Sequence, residues 1–171
     1  FRTIGLVRDP ASLRFPDEGP WHQEVHEFGL NYRLPDVLCA LGSAQLTRLE
    51  AFKARRWEIT RRYDAALADV AGISTPVRRD DVDPCFHLYP LRVKEGRRRE
   101  VFEKMRAQGI GVQVNYIPVY WHPVYEDLGY RRGMCPNAEA FYAEEISRPL
   151  FPGLSDDDVD RTVEVLLDAL R

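Results

Sequence analysis

The sequence has 171 residues, 44% of them hydrophobic and 30% charged, with a formal net charge of −3. That length and balance exclude whole-chain disorder and suit one compact domain with room for a second small lobe. The slight negative charge gives no global pull toward nucleic acid or an anionic membrane, and no apolar run approaches the ~20 residues that cross a bilayer.

Residues 1–29 lack a sustained period. Asp9-Pro10, Pro16 and Gly19-Pro20 punctuate them, which predicts an irregular polar arm. Phe1-Arg2-Thr3-Ile4-Gly5 has no apolar core of a signal peptide, and the missing initial Met predicts a piece of a longer chain. Pro35 suits a first helical turn and Asp36 suits its positive end. Leu38, Leu41, Leu49 and Phe52 fall near one helical stripe, and the run continues through Trp57, Tyr63 and Leu67 to stop before Gly72. The reading is one long helix, bent near Gly42 or in its arginine-rich middle. Arg55, Arg56, Arg61 and Arg62 there read as a phosphate-contacting face or as a solvated one. Glu50, Glu58 and Asp64 nearby favour the second.

Residues 73–84 read as a loop and 86–93 as a strand, with Pro90 marking an edge or a bulge. Glu95-Gly96 turns the chain into a helix from Arg97 to Gln108, with Val101, Phe102 and Met105 on one face and Gly109 at its end. Ile110, Val112, Val114 and Tyr116 alternate with Gly111, Gln113 and Asn115, a period-two strand. An aromatic loop follows to Pro136. Asn137 is expected to cap a helix through about Ser147. Pro149, Pro152 and Gly153 break the chain, and Ser155 with Asp158 resembles a capping box for a last helix carrying Val159, Val163, Leu166, Leu167 and Leu170. The order predicts an α+β fold, a long helix plus a small sheet covered by helices.

Two segments carry candidate chemistry. In Gly29-Leu30-Asn31-Tyr32-Arg33-Leu34, the Asn31 amide and the Arg33 fork suit phosphate or carboxylate oxygens, and backbone donors of the following helix add to them. The competing reading is a turn in which Asn31 caps and Arg33 pairs with a local acid. In residues 115–123, Tyr116, Tyr120, Trp121 and His122 either line a pocket for a sugar or nucleobase or seal a domain edge. Cys85, His87, His122 and Cys135 lack the paired spacing of a zinc site, so no metal is expected. His87, inside the expected strand, reads as a core or hydrogen-bonded histidine. Cys39, Cys85 and Cys135 are odd in number and widely spaced, which predicts free thiols in a reducing compartment and a cytoplasmic protein. No nucleophile elbow, Walker A or dinucleotide fingerprint is present. Of the three lysines, Lys53, Lys94 and Lys104, none sits in the apolar setting that activates a Schiff-base lysine.

The run Gly29-Leu30-Asn31-Tyr32-Arg33, continuing through Ala40, Gly42, Gln45 and Leu46, resembles a hallmark of the DegT/DnrJ/EryC1/StrS aminotransferases. His87-Leu88-Tyr89, Tyr116-Ile117-Pro118 with His122-Pro123, and Pro149-Leu150-Phe151-Pro152-Gly153-Leu154 resemble further motifs of that family, in the family's order. Arg8-Asp9-Pro10, Glu18-Gly19-Pro20-Trp21 and Asn115-Tyr116-Ile117-Pro118-Val119 are similar to the branch that makes pseudaminic acid precursors, the UDP-4-amino-4,6-dideoxy-N-acetyl-β-L-altrosamine transaminases. Ile4, Asn115 and Tyr120 stand where many or some relatives have His, a departure on the substrate side.

The resemblance implies the C-terminal part of a fold-type I aminotransferase that uses pyridoxal phosphate (PLP) to aminate a nucleotide-linked keto-sugar with an amino-acid donor. Residues 1–34 would be the connecting arm from a preceding large domain, and 35–171 the small domain. Phe1-Arg2-Thr3-Ile4-Gly5-Leu6 resembles the segment just after the family's Schiff-base lysine, so no catalytic residue is expected here and the chain alone would be inactive. Asn31 would reach across a homodimer to the PLP phosphate. Tyr32, Arg33, Tyr116 and His122 would border the substrate. The rival reading is a non-catalytic sugar-nucleotide-binding or interaction module derived from the family.

Overall fold

A computed structural model describes residues 6–14, 16, 23–26, 29–31 and 34–171. The chain divides into two units, residues 1–48 and 49–171.

In the first unit the arm is not wholly irregular. Two short strands, β1 (Leu6–Val7) and β2 (Glu24–Val25), pair antiparallel with Leu6 opposite Val25. A 3-10 turn at Pro10–Ser12 is capped by Asp9, whose carboxylate accepts from the Ala11 backbone and the Ser12 hydroxyl. Pro35 precedes helix α1 (Asp36–Leu46). The expected single long helix is two. The break falls at Thr47 and Arg48 rather than at Gly42, because the Thr47 hydroxyl turns back onto the Ala44 carbonyl at 2.8 Å. Val37, Leu38, Leu41 and Leu46 on α1 are exposed in this chain.

The second unit begins with α2 (Leu49–Leu67). Ile59, Tyr63 and Leu67 recur at four-residue intervals and are buried. Three of the four arginines of α2 are not a free solvated face, while Arg61 stays exposed over the Trp57 ring. Arg55 bonds Asp156 and the Leu154 carbonyl, each at 2.7 Å, and Arg62 pairs with Asp156 and Asp160. Arg56 donates to the carbonyls of Phe86, His87 and Leu150. Guanidinium forks thus fasten α2 to the segments that pack beside it.

Three antiparallel strands follow, β3 (Ile73–Ser74), β4 (Tyr89–Val93) and β5 (Glu145–Arg148), in the order β3-β4-β5. The expected strand from 86 shortens to Tyr89–Val93, which leaves His87 outside it and exposed. β4 is central, yet β3 reaches only Arg92 and Val93, so Pro90 is paired on the β5 side alone, opposite Ser147. Ser147 turns its backbone N–H and C=O away to Gln113, so the missing proline donor costs no ladder bond. Tyr89, Leu91 and Val93 bury one face of β4.

Helix α3 (Arg98–Ala107) buries Val101 and Met105 and ends at Gly109, whose φ of +80° suits a residue without Cβ. The expected strand at 110–116 is reduced to one bridge, Gln113 with Ser147, although Ile110 and Val112 are buried as the alternation predicts. A four-residue helix, α4 (Pro123–Glu126), lies in the aromatic segment. Helix α5 (Pro136–Glu144) is led by Cys135 and not by Asn137, with Pro136 in its first turn. It stops at Glu144. Residues 145–147, expected as helix, instead join Arg148 in β5, with all four residues buried. Helix α6 (Asp156–Ala169) starts as expected. The Ser155 hydroxyl accepts from the Asp158 backbone at 3.1 Å, and three aspartates occupy the first turn. α2 and α3 both pack against α6, and the core joins them to the buried face of β4. The unit is α+β, a small antiparallel sheet with covering helices.

Candidate functional site

The segment 115–122 leaves the sheet beside β5 and is gripped at both ends by carboxylates. At its entry the Asn115 backbone donates to Glu145 Oε2 at 2.7 Å, and Ser147 donates to Glu145 Oε1 at 2.5 Å. Glu145 is fully buried, and burial pushes its carboxyl above the ordinary range. The Asn115–Tyr116 peptide is cis. Pro118 then leads a 3-10 turn at Val119–Trp121, closed by Trp121 N to Pro118 O at 2.8 Å. At the exit, Tyr120 and Trp121 both donate to Glu139 of α5. The His122 carbonyl starts α4 by accepting from Tyr125 and Glu126.

This sorting divides the aromatic residues by role. Tyr120 and Trp121 turn inward and hold the loop. Tyr116, 71% exposed, and His122, also exposed, are displayed, and neither side chain bonds another described residue. Each offers a flat face for stacking and a polar atom for a hydroxyl or carbonyl partner. The segment's aromatics thus split, Tyr120 and Trp121 packing toward α5 while Tyr116 and His122 stay exposed. Glu139 and Glu145 were not singled out by the sequence. Their role depends on contacts across 18 to 30 positions, and no local spacing announces it.

Asn31 lies in the first unit and is exposed, four residues ahead of Pro35. Tyr32 and Arg33 lie outside the described residues. The three lysines are all committed to ion pairs, Lys53 with Asp83, Lys94 with Glu144 and Lys104 with Glu100. The carboxylate of Asp83 holds the Lys53 ammonium above its usual pKa, opposite to an activated nucleophile. Cys39, Cys85 and Cys135 are exposed free thiols. Among the described residues, no cluster of His, Cys, Asp or Glu is placed to hold a metal ion, and no helix is long and apolar enough to cross a membrane.

A small antiparallel sheet under helices is the α+β architecture found in part of solved aminotransferase structures. The structure of Spr1654 from Streptococcus pneumoniae in its PLP-form superposes with a TM-score of 0.84 at 26% identity, covering 98% of this chain and 41% of that one. The profile of the DegT/DnrJ/EryC1/StrS aminotransferase family matches residues 3–167. The chain belongs to that family. It is 37% identical to the spore coat polysaccharide biosynthesis protein SpsC of Bacillus subtilis, over 92% of this chain and 42% of that protein. It is 39% identical to the UDP-4-amino-4,6-dideoxy-N-acetyl-beta-L-altrosamine transaminase of Campylobacter jejuni, over 75% of this chain and 35% of that one. The chain thus spans less than half the length of either relative.

Proposed function

We propose that this chain is the C-terminal part of a PLP-dependent aminotransferase that moves an amino group from an amino-acid donor to a nucleotide-linked keto-sugar, a precursor of a polysaccharide, flagellar or other surface glycan. The observation that carries the reading is the family match over residues 3–167. The named transaminase among the relatives supports a UDP-linked sugar and pseudaminic acid chemistry. Residues 1–34 are the arm from a preceding domain and 35–171 the small domain of a cytoplasmic homodimer.

The residues present suit the phosphate end of the cofactor and not its carbonyl end. Asn31 offers amide donors for phosphate oxygens at an exposed position. Each of the three lysines sits in an ion pair, which supports a Schiff-base lysine outside these residues. PLP, when bound, supplies a carbonyl that carries the amino group and an electron sink that eases proton transfer. This chain contributes phosphate binding through Asn31, and Tyr32 and Arg33 border the substrate. Tyr116 and His122 orient the sugar nucleotide by stacking and hydrogen bonding. The lysine that moves the proton belongs to the preceding segment, and the 171-residue chain alone is inactive. The test is amino transfer by the intact protein: supplied with PLP and glutamate, it is expected to convert a UDP-linked 4-keto-sugar into the amino sugar.

A further inference from the structure

Glu139 stands in the first turn of α5 and gathers donors from two separate segments onto one oxygen. Its Oε1 accepts from the Tyr120 hydroxyl, from Trp121 Nε1 at 3.3 Å and from the Gly133 backbone at 2.6 Å. The Tyr120 hydroxyl in turn accepts from the Cys135 backbone at 3.3 Å. The Trp121 ring is enclosed on two further sides, by the edge of Tyr142 at 5.5 Å and by the Arg132 guanidinium at 4.2 Å. The turn's own backbone bonds are local, Trp121 to Pro118 and His122 to Val119. They fix its shape and not its place. Long-range placement of the exit end comes from the side chains that meet at Glu139.

We propose that Glu139 is the positioning residue of the substrate loop, acting through Tyr120 and Trp121 to set where Tyr116 and His122 meet the sugar nucleotide. His122 follows Trp121 directly in the chain and bonds Val119 through its backbone, so a shift of the 119–121 turn as a whole moves His122 with it. Glu139 itself acts through its bonds to Tyr120, Trp121 and the Gly133 backbone. The Tyr120 hydroxyl, more than any other neighbour, holds the Glu139 carboxyl below the usual range, so it is a charged acceptor throughout the neutral region. The inference rests on the proposed function for the identity of the ligand, while the clamp itself stands on geometry.

The experiment compares Glu139→Ala and Glu139→Gln with wild type in the intact holoenzyme. Gln keeps an acceptor oxygen of the same reach and drops the charge. Three quantities are read: the Trp121 indole N–H resonance after 15N-tryptophan labelling, the half-reaction with L-glutamate, and the half-reaction with the keto-sugar nucleotide. The Ala variant is expected to shift Trp121 toward rapid solvent exchange and to raise KM for the sugar nucleotide about tenfold, the scale of one or two displaced polar contacts. The glutamate half-reaction stays within about twofold, because it does not use the loop. Gln is expected to recover most of both losses. An unchanged Trp121 signal, an unchanged sugar KM, or a parallel loss in both half-reactions overturns the proposal. If the intact wild-type protein aminates no sugar, the proposed function fails separately, and affinity for UDP-N-acetylglucosamine then decides. Affinity weakened by Ala and restored by Gln supports the clamp; equal affinities, or no binding to wild type, overturn it.

Discussion

Arg148 closes β5 with only 2% of its surface exposed. Its guanidinium lies 3.9 Å from the ring centroid of Tyr63 and 4.5 Å from that of Tyr89, while Nε and both Nη atoms lack a hydrogen-bond partner. Burial pulls its pKa well below the ordinary guanidinium range, to about 10. At 1.36 kcal/mol per pKa unit, that drop counts about 3 kcal/mol against the folded state. The ring contacts return part of it, about 2 kcal/mol for a desolvated stack. Met fills nearly the same volume, needs no partner, and regains about 0.3–1.5 kcal/mol from sulfur on the rings. Asp64 is not orphaned by the change, because Arg78 and the Tyr89 hydroxyl both still bond it. Arg148→Met is therefore expected to stabilise the chain by about 1–2 kcal/mol, as replacement of buried charge by apolar side chains often does. Urea unfolding followed by far-UV circular dichroism should show a midpoint higher by about 1 M. A midpoint lower by a similar amount would refute the reasoning and show that ring contacts outweigh burial.

Ser155→Ala removes the acceptor for the Asp158 backbone and should destabilise by about 1 kcal/mol in the same urea assay, with Ser155→Gly milder. Acid should weaken the fold. Arg97 and then Lys104 hold Glu100 at about 2, and Arg55, Arg62 and Lys94 hold Asp156, Asp160 and Glu144 below the usual range. The folded state then binds fewer protons than the unfolded one, so this stability is present above the ordinary carboxylate range near 4.5 and is lost as pH falls toward about 2. Glu145, raised by burial, acts in the opposite direction. A urea midpoint that is flat from neutral pH down to about pH 2.5, or insensitive to salt while falling, would contradict this account of exposed pairs.

The legible parts of the sequence were those decided locally. The α6 cap rests on Ser155 three residues before Asp158, and the faces of α3 and α6 follow from helical spacing. What escaped was decided at a distance. β5 runs on directly from α5 and is short and buried on all sides, so neither helical nor two-residue periodicity marks it. The strand expected at 110–116 lost its ladder because its one bridge, at Ser147, is its sole pairing among the described residues. Arg55, Arg56 and Arg62 of α2 looked solvated beside Glu58 and Asp64, but the fold brought Asp156, Asp160 and four carbonyls to them. In the candidate site, Tyr116 and His122 were named by motif. Which aromatics would be displayed and which would hold the loop depended on Glu139, 18 and 19 positions away from its side-chain donors.

The central claim, that this chain completes a sugar aminotransferase, is tested most directly by following 15N from labelled glutamate in the presence of the intact protein, PLP and a UDP-linked 4-keto-sugar. The account predicts that 15N appears on the sugar, and that Asn31→Ala slows its appearance at limiting PLP and recovers at saturating PLP. No label on the sugar, or an Asn31→Ala protein indistinguishable from wild type at limiting PLP, would contradict it.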